Sequence, residues 1–170
     1  MNPVYDELTE IDIQKMKEEM DYRIRVLRPQ LIEEVQVARA FGDLSENFEY
    51  KCAKQAKNKN DSRIRYLDRM IRTAKVISVQ SADDAVGLFD TVEVHNEKLK
   101  KDMTLRIVTT LRQDALKGLI SKESPVGKAL MGHRAGERVL VKVSDDLQYY
   151  LEIKSIQKGE DDSSLAISSY

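Results

Sequence analysis

Ile13-Gln-Lys-Met16-Lys-Glu-Glu-Met20-Asp-Tyr-Arg-Ile24-Arg-Val-Leu27-Arg-Pro29-Gln-Leu31-Ile-Glu-Glu-Val35-Gln-Val-Ala38 repeats an apolar residue at spacings of 3, 4, 4, 3, 4, 4 and 3. That rhythm is the seam of a helix packed along one partner, close to a coiled-coil heptad. Pro29 interrupts it and should loosen the helix about one turn earlier, because proline removes an amide donor. Gly42 follows the last periodic position, where a helix end favours a left-handed residue. A second seam follows at Ala53, Ala56, Asn60, Ile64, Leu67, Ile71 and Ala74. Two such arms joined near Gly42 bury their seams most economically against each other, as an antiparallel hairpin. An arm of roughly 28 residues would project about 40 Å at about 1.5 Å per residue. Asn60, polar at a seam position, costs stability and fixes register.

After Ile77 the period changes. Alternating, β-branched segments appear at 91–94, 103–109, 118–121, 139–143 and 149–153, with turns expected at 96–101 and 144–146. Ser124 as N-cap, Pro125 at the first helical position and Gly132 past the end mark one short helix. The expected class is therefore α+β: a hairpin over residues 1–78, a linker at 79–85, a small domain with a mostly antiparallel sheet at 86–158, and a frayed tail at 159–170.

Composition bounds the rest. The chain has 170 residues, 41% apolar and 34% charged, with a formal net charge of −1. No apolar run approaches the roughly 20 residues of a membrane span, and no secretory signal is visible at the N-terminus. The single cysteine, Cys52, can form neither an internal disulfide nor a cysteine-based metal cluster, so a cytoplasmic protein is expected. The near-zero total conceals an asymmetry. Residues 6–34 carry nine acidic side chains against five basic, whereas residues 51–75 carry nine basic against two acidic. A basic face of that density can meet a polyanion.

The hairpin tip, Gly42-Asp43-Leu44-Ser45-Glu46-Asn47, places two carboxylates three residues apart at a free end. One reading is a capping box, with Asp43 as N-cap of the second arm and Glu46 at the third helical position. The other is a pair of hard oxygen ligands for Mg²⁺, too few for a dedicated site and suited to completing one that another molecule supplies. Beside them, Lys51, Lys54, Lys57 and Lys59 on the second arm and Arg39 on the first form either a solvated face or a phosphate-backbone contact. Beyond Phe48 and Tyr50 there is no aromatic platform for base stacking, so base-specific reading is not expected. His95 and His133 lack ligand-spaced partners, Cys52 lacks a neighbouring base, and Ser124 has a cap to fill. Nothing here resembles a self-contained enzyme.

Two long blocks, Arg28-Pro29-Gln30 with Ala38 through Tyr50, and Ile120 through Gly132, resemble the bacterial Gre transcript cleavage factors, the GreA/GreB family of transcription elongation factors. The resemblance covers nearly the whole chain and implies an N-terminal coiled-coil hairpin followed by an FKBP-like domain. It further implies binding to RNA polymerase, with the C-terminal domain docking at the mouth of the secondary channel and the hairpin reaching the active site. There Asp43 and Glu46 would help hold the second Mg²⁺, shared with the polymerase, and assist hydrolysis of backtracked RNA. The free protein would hold no cofactor and be no nuclease itself. Basic residues matching the family's RNA contacts are Arg39 and Lys54, with Lys51 and Lys57 alongside, and the partner would be the extruded RNA 3′ end. Ser124, Pro125, Gly127 and Leu130 would belong to the docking segment. The free protein is expected to be monomeric. Asn58-Lys59 departs from the Gly-Phe pair usual in GreA-like members, and Arg63 to Leu67 looks closer to GreB; the basic arm then implies longer cleavage products. Rival readings are a Gre-like regulator that inhibits without cleavage, a prolyl isomerase and a plain coiled-coil scaffold.

Overall fold

A computed structural model describes residues 7–41, 47–79 and 82–168, which form two compact units: residues 13–74, and residues 7–12 together with 75–168. Helix α1 (Glu10–Tyr22) leads through a π-helical turn (Arg23–Leu27) into α2 (Arg28–Ala40), and α3 (Phe48–Thr73) returns. Cross-arm contacts pair Ala38 with Asn47, Arg23 with Asn60 and Glu19 with Arg63. Rising numbers on one arm meet falling numbers on the other, so the arms are antiparallel.

The π turn sits where Pro29 requires it. Pro29 has no amide to offer the carbonyl four residues back, and the Arg28 N–H donates instead to Arg23 O, five residues back. The inserted residue shifts the phase of the seam. Ile24, expected inside, is 41% exposed, and the neighbouring Arg23 turns toward α3, where its Nη1 donates to Asn60 Oδ1 at 3.1 Å. Asn60 also donates to the Arg23 carbonyl at 3.4 Å, so its register role rests on two bonds to one residue.

On α3 the buried stripe is Asn60, Arg63, Leu67 and Met70. Ala56, expected on the seam, is exposed, and Ile64 and Ile71 are only half-buried. Arg63 takes an inner position because its stem covers apolar surface while its head reaches a partner. Arg63 Nε and Nη2 donate to the two oxygens of Glu19 at 2.9 and 2.8 Å. Arg23 Nε donates to the same carboxylate at 2.7 Å. Burial pushes the Glu19 carboxyl up, but the bonds from Arg63 and Arg23 outweigh it and hold the group below its ordinary value.

In the second unit, β1 (Glu7–Leu8) and β2 (Lys75–Val76) form a short parallel pair. A five-stranded sheet runs in the order β5-β4-β3-β7-β6, from β3 (Thr91–Asn96), β4 (Lys101–Val108), β5 (Leu119–Ser121), β6 (Arg138–Lys142) and β7 (Gln148–Gln157). Only β4 and β5 are parallel; β3 lies antiparallel to β4 and β7, and β6 to β7. Alternation turns Val92 and Val94, Val139 and Val141, and Leu151 and Ile153 into one core, which Leu130 of α4 (Pro125–Leu130) completes. Asn96 closes the β3–β4 turn by accepting from the amides of Lys98 and Leu99, and Ser144 accepts from the Leu147 amide in the β6–β7 turn.

The expected boundaries move. Residues 7–12 join the sheet unit, not the hairpin, because β1 pairs with β2 and Lys122 reaches Glu7. Of the expected linker, Val79 packs on the sheet core and Ala85 bridges to Arg134. The segment from Gly159, expected to fray, is bonded as far as Ser168, whose N–H donates to Leu111 O at 2.6 Å. No helix among the described residues is long and apolar enough to cross a membrane.

Candidate functional site

Phe41 ends α2 with its amide donating to Ala38 O, and Asn47 opens α3 in an extended conformation. Asn47 Oδ1 accepts from Tyr50 N at 2.9 Å, and its Nδ2 donates to Ala38 O at 2.8 Å. A single side-chain amide therefore caps the second arm and ties it to the last turn of the first. The expected capping box assigned that task to Asp43 with Glu46. The cap is Asn47 instead, and the third helical residue it serves is Tyr50. Asn47 was missed from the sequence alone, and the signal for it is that asparagine ranks with aspartate at N-caps. Gly42, Asp43 and Glu46 lie outside the described residues.

The flanks of the tip are exposed and partly apolar. Phe41 is 72% and Phe48 76% exposed, and Arg39, Lys51 and Lys54 are exposed beside them. Lys54 Nζ stands 5.9 Å from the centroid of the Tyr50 ring, within cation–π range. Lys57 is committed differently. Its Nζ donates to Asp61 Oδ2 at 2.8 Å, and Arg28 of α2 lies 3.1 Å from the other oxygen of that carboxylate. The hydrogen bond from Lys57, with the charges of Lys57, Arg28 and Arg65, holds Asp61 below its ordinary value. Of the four basic residues proposed for RNA, Arg39, Lys51 and Lys54 are exposed and make no ion pair among the described residues, whereas Lys57 is paired with Asp61.

The C-terminal candidates have structural tasks. Ser124 Oγ accepts from Gly127 N at 3.0 Å and donates to Ser121 O at 2.7 Å, and Pro125 follows at the first helical position. Gly127 is buried so tightly that an added Cβ would come within 2.1 Å of Ser121 O. Leu130 is fully buried in the core. Gly127 has no side chain and that of Leu130 is enclosed, so neither offers a side chain at the surface. His95 Nδ1 pairs with Asp102 and His133 Nδ1 with Glu137, each at 2.5 Å, and Cys52 is exposed. Among the described residues no group of three histidine, cysteine, aspartate or glutamate side chains is placed to hold a metal ion.

Residues 7–76 match the family "Transcription elongation factor, N-terminal", and residues 79–158 match "Transcription elongation factor, GreA/GreB, C-term". The chain belongs to the GreA/GreB family. A GreA of Mesoplasma florum is 39% identical over 150 residues, 88% of this chain and 96% of its own. A GreA of Bacillus subtilis is 36% identical over 129 residues, 76% of this chain and 82% of its own. Among solved structures, GreA factor homolog 1 of Thermus thermophilus aligns with 91% of this chain and 99% of its own, at 21% identity and a TM-score of 0.42. Membership rests on the sequence matches, which run through the hairpin and the sheet domain of this GreA/GreB protein alike.

Proposed function

We propose that this protein enters the secondary channel of bacterial RNA polymerase and stimulates the polymerase's own cleavage of backtracked RNA, rescuing arrested complexes in the cytoplasm. On this reading it is a cleavage cofactor and not a nuclease. The observation that carries the reading is the capping of α3 by Asn47. With the Tyr50 amide satisfied by Asn47, the carboxylates of Asp43 and Glu46 are not needed as the cap of that helix. They are two hard oxygen donors at the end of a helical hairpin, a donor set that suits Mg²⁺ only when another molecule supplies further ligands. Mg²⁺ shared with the polymerase would supply the charge stabilisation of phosphodiester hydrolysis. Asp43 and Glu46 would complete its ligand set and accept a hydrogen bond from the attacking water. Arg39, Lys51 and Lys54 would hold the phosphates of the extruded 3′ end, with Lys57 contributing less because Asp61 already engages it.

The rival enzyme reading gains no support from the aromatics of the sheet domain. Phe89 is fully buried, and Tyr149 and Tyr150, adjacent on β7, face opposite sides of the sheet. The test is a stalled, backtracked elongation complex with labelled RNA in Mg²⁺. Wild type should shorten the transcript, and Asp43→Asn or Glu46→Gln should bind the complex without shortening it. Binding by wild type that leaves the RNA intact would favour the inhibitory regulator. Failure of wild type to bind at all would reduce the hairpin to a scaffold.

A further inference from the structure

Outside the hairpin, Arg112 is fully buried in the sheet unit. Its Nε donates to Asp12 Oδ1 at 2.5 Å and its Nη2 to Thr9 Oγ1 at 3.3 Å. Thr9 and Asp12 are themselves a capping box. Thr9 N donates to Asp12 Oδ2 at 3.2 Å, and Asp12 N donates to Thr9 Oγ1 at 3.3 Å. Arg112 thus holds both side chains of the box that starts α1.

The other side of the guanidinium faces the C-terminal segment. Arg112 Nη1 donates to Asp162 O at 2.9 Å and lies 2.7 Å from Asp161 Oδ1. The segment is clipped along its length. Gly159 N donates to Asp90 Oδ1 at 3.0 Å, Arg106 Nη2 donates to Glu160 O at 3.3 Å, and Leu165 packs against the sheet core. Its crossing point needs glycine, because a Cβ on residue 159 would sit 2.0 Å from Phe89 O. Phe89 holds a left-handed φ of 68° there, with its ring 5.0 Å from the Arg112 guanidinium carbon. Beyond the crossing, the segment walls a cavity of about 540 Å³ with Arg112, Asp114 and Lys117 on the opposite side. The segment itself lies beyond residue 158, where the family match ends, while the residues that hold it lie within the match.

We infer that residues 159–168 form a strap that acts as an intramolecular acidic ligand of Arg112, and that the strap and the Thr9–Asp12 box are locked and released together. Arg112 cannot stay buried with half of its donors unmatched, since an unsatisfied buried charge is costly. Loss of the strap therefore draws Arg112 toward water and takes it from Thr9 and Asp12. The strap has no regular secondary structure to hold it independently, so its clips open as a set. Anything that cuts the strap, or an acidic peptide that competes for Arg112, would loosen the residues from which α1 begins.

Amide hydrogen exchange on the full chain tests this. Gly159→Val should lever the strap off Phe89 and speed exchange at Gly159-adjacent and Ser168 amides. Exchange at Thr9 and Asp12 should rise with it, by about tenfold or more. Asp161→Asn should move the same two groups of amides in the same direction by less, while Ser163→Ala, on an exposed side chain, should move neither. Acceleration of the strap with Thr9 and Asp12 unchanged would overturn the inference. If Gly159→Val also accelerates the central β3 and β7 amides, Asp161→Asn decides alone: joint acceleration supports the coupling, and acceleration confined to residues 159–168 overturns it.

Discussion

Glu19 shows how one carboxylate can hold a hairpin together and how much its removal should cost. Arg63 is nearly enclosed, with its side chain 5% exposed, and Glu19 receives it with both oxygens. Removing the acid alone leaves a buried guanidinium with lost partners, a defect worth about 3 kcal/mol in comparable sites. Glu19→Gln should accordingly destabilise far more than the double change Glu19→Met with Arg63→Met, which removes both charges and keeps apolar volume. Urea unfolding of the three proteins checks it, and equal losses in the single and double variants would contradict the account. Asn47 works on a smaller scale. Asn47→Ala removes the Tyr50 cap and the tie to Ala38, and should cost about 1 kcal/mol, read as a fall in the midpoint of thermal unfolding. The Glu19–Arg63 pair could not be read from the sequence, because an arginine counts as a surface residue until its partner, 44 positions away, is known. The Asp43–Glu46 spacing is legible too, but it also fits a cap, a task that the structure gives to Asn47.

At the level of elements, legibility followed length and rule. Pro29 marked where the helix loosens, because the loss of an amide donor does not depend on context, but not that the change would be a π turn. The phase shift that expelled Ile24 was not announced, since a period of 3.5 presumes that no residue is inserted. The strands β3, β4, β6 and β7 were visible through alternation, whereas the two-residue strands β1 and β2 are too short to show any period. The strap was misjudged because serine and aspartate suggest solvent, while its attachments are backbone groups and a buried arginine. On α3, the structure ranks the basic residues that composition left equal. Lys54 is exposed above Tyr50, but Lys57 already shares Asp61 with Arg28. Lys51→Ala and Lys54→Ala should each slow transcript cleavage on a backtracked complex and flatten its dependence on salt. Lys57→Ala should do so less and should instead lower hairpin stability by about 0.3–0.5 kcal/mol, the usual worth of such a helical pair. The removal of all four lysines, 51, 54, 57 and 59, should also shorten the released fragments if the basic face sets their length; unchanged products would dissociate charge from fragment length.

For the whole molecule, acid stability reports how distant segments of the chain are joined in one unit. Glu7 of β1 pairs with Lys75 of β2 at 2.9 Å and with Lys122, which follows β5, so three distant segments meet at one carboxylate. The hydrogen bond from Lys122, then that from Lys75, holds the Glu7 carboxyl down at about 2, against an ordinary value of 4.5. A carboxyl depressed in the folded state adds stability that is complete above its unfolded value and disappears as pH falls through its folded one. The contribution should therefore be intact above about pH 4.5 and fade down to about pH 2. Glu7→Gln removes the titrating group, so its stability should lie below wild type at neutral pH and depend less on pH across that window. The two curves should converge near pH 2. Because the Glu7 side chain is 31% exposed, concentrated salt should narrow the gap at neutral pH. Thermal unfolding of both proteins across the window, with and without salt, measures all three effects. A constant gap from pH 4.5 to 2 would mean that the substitution acts through packing at β1 and not through the charge that ties Lys75 and Lys122 to it.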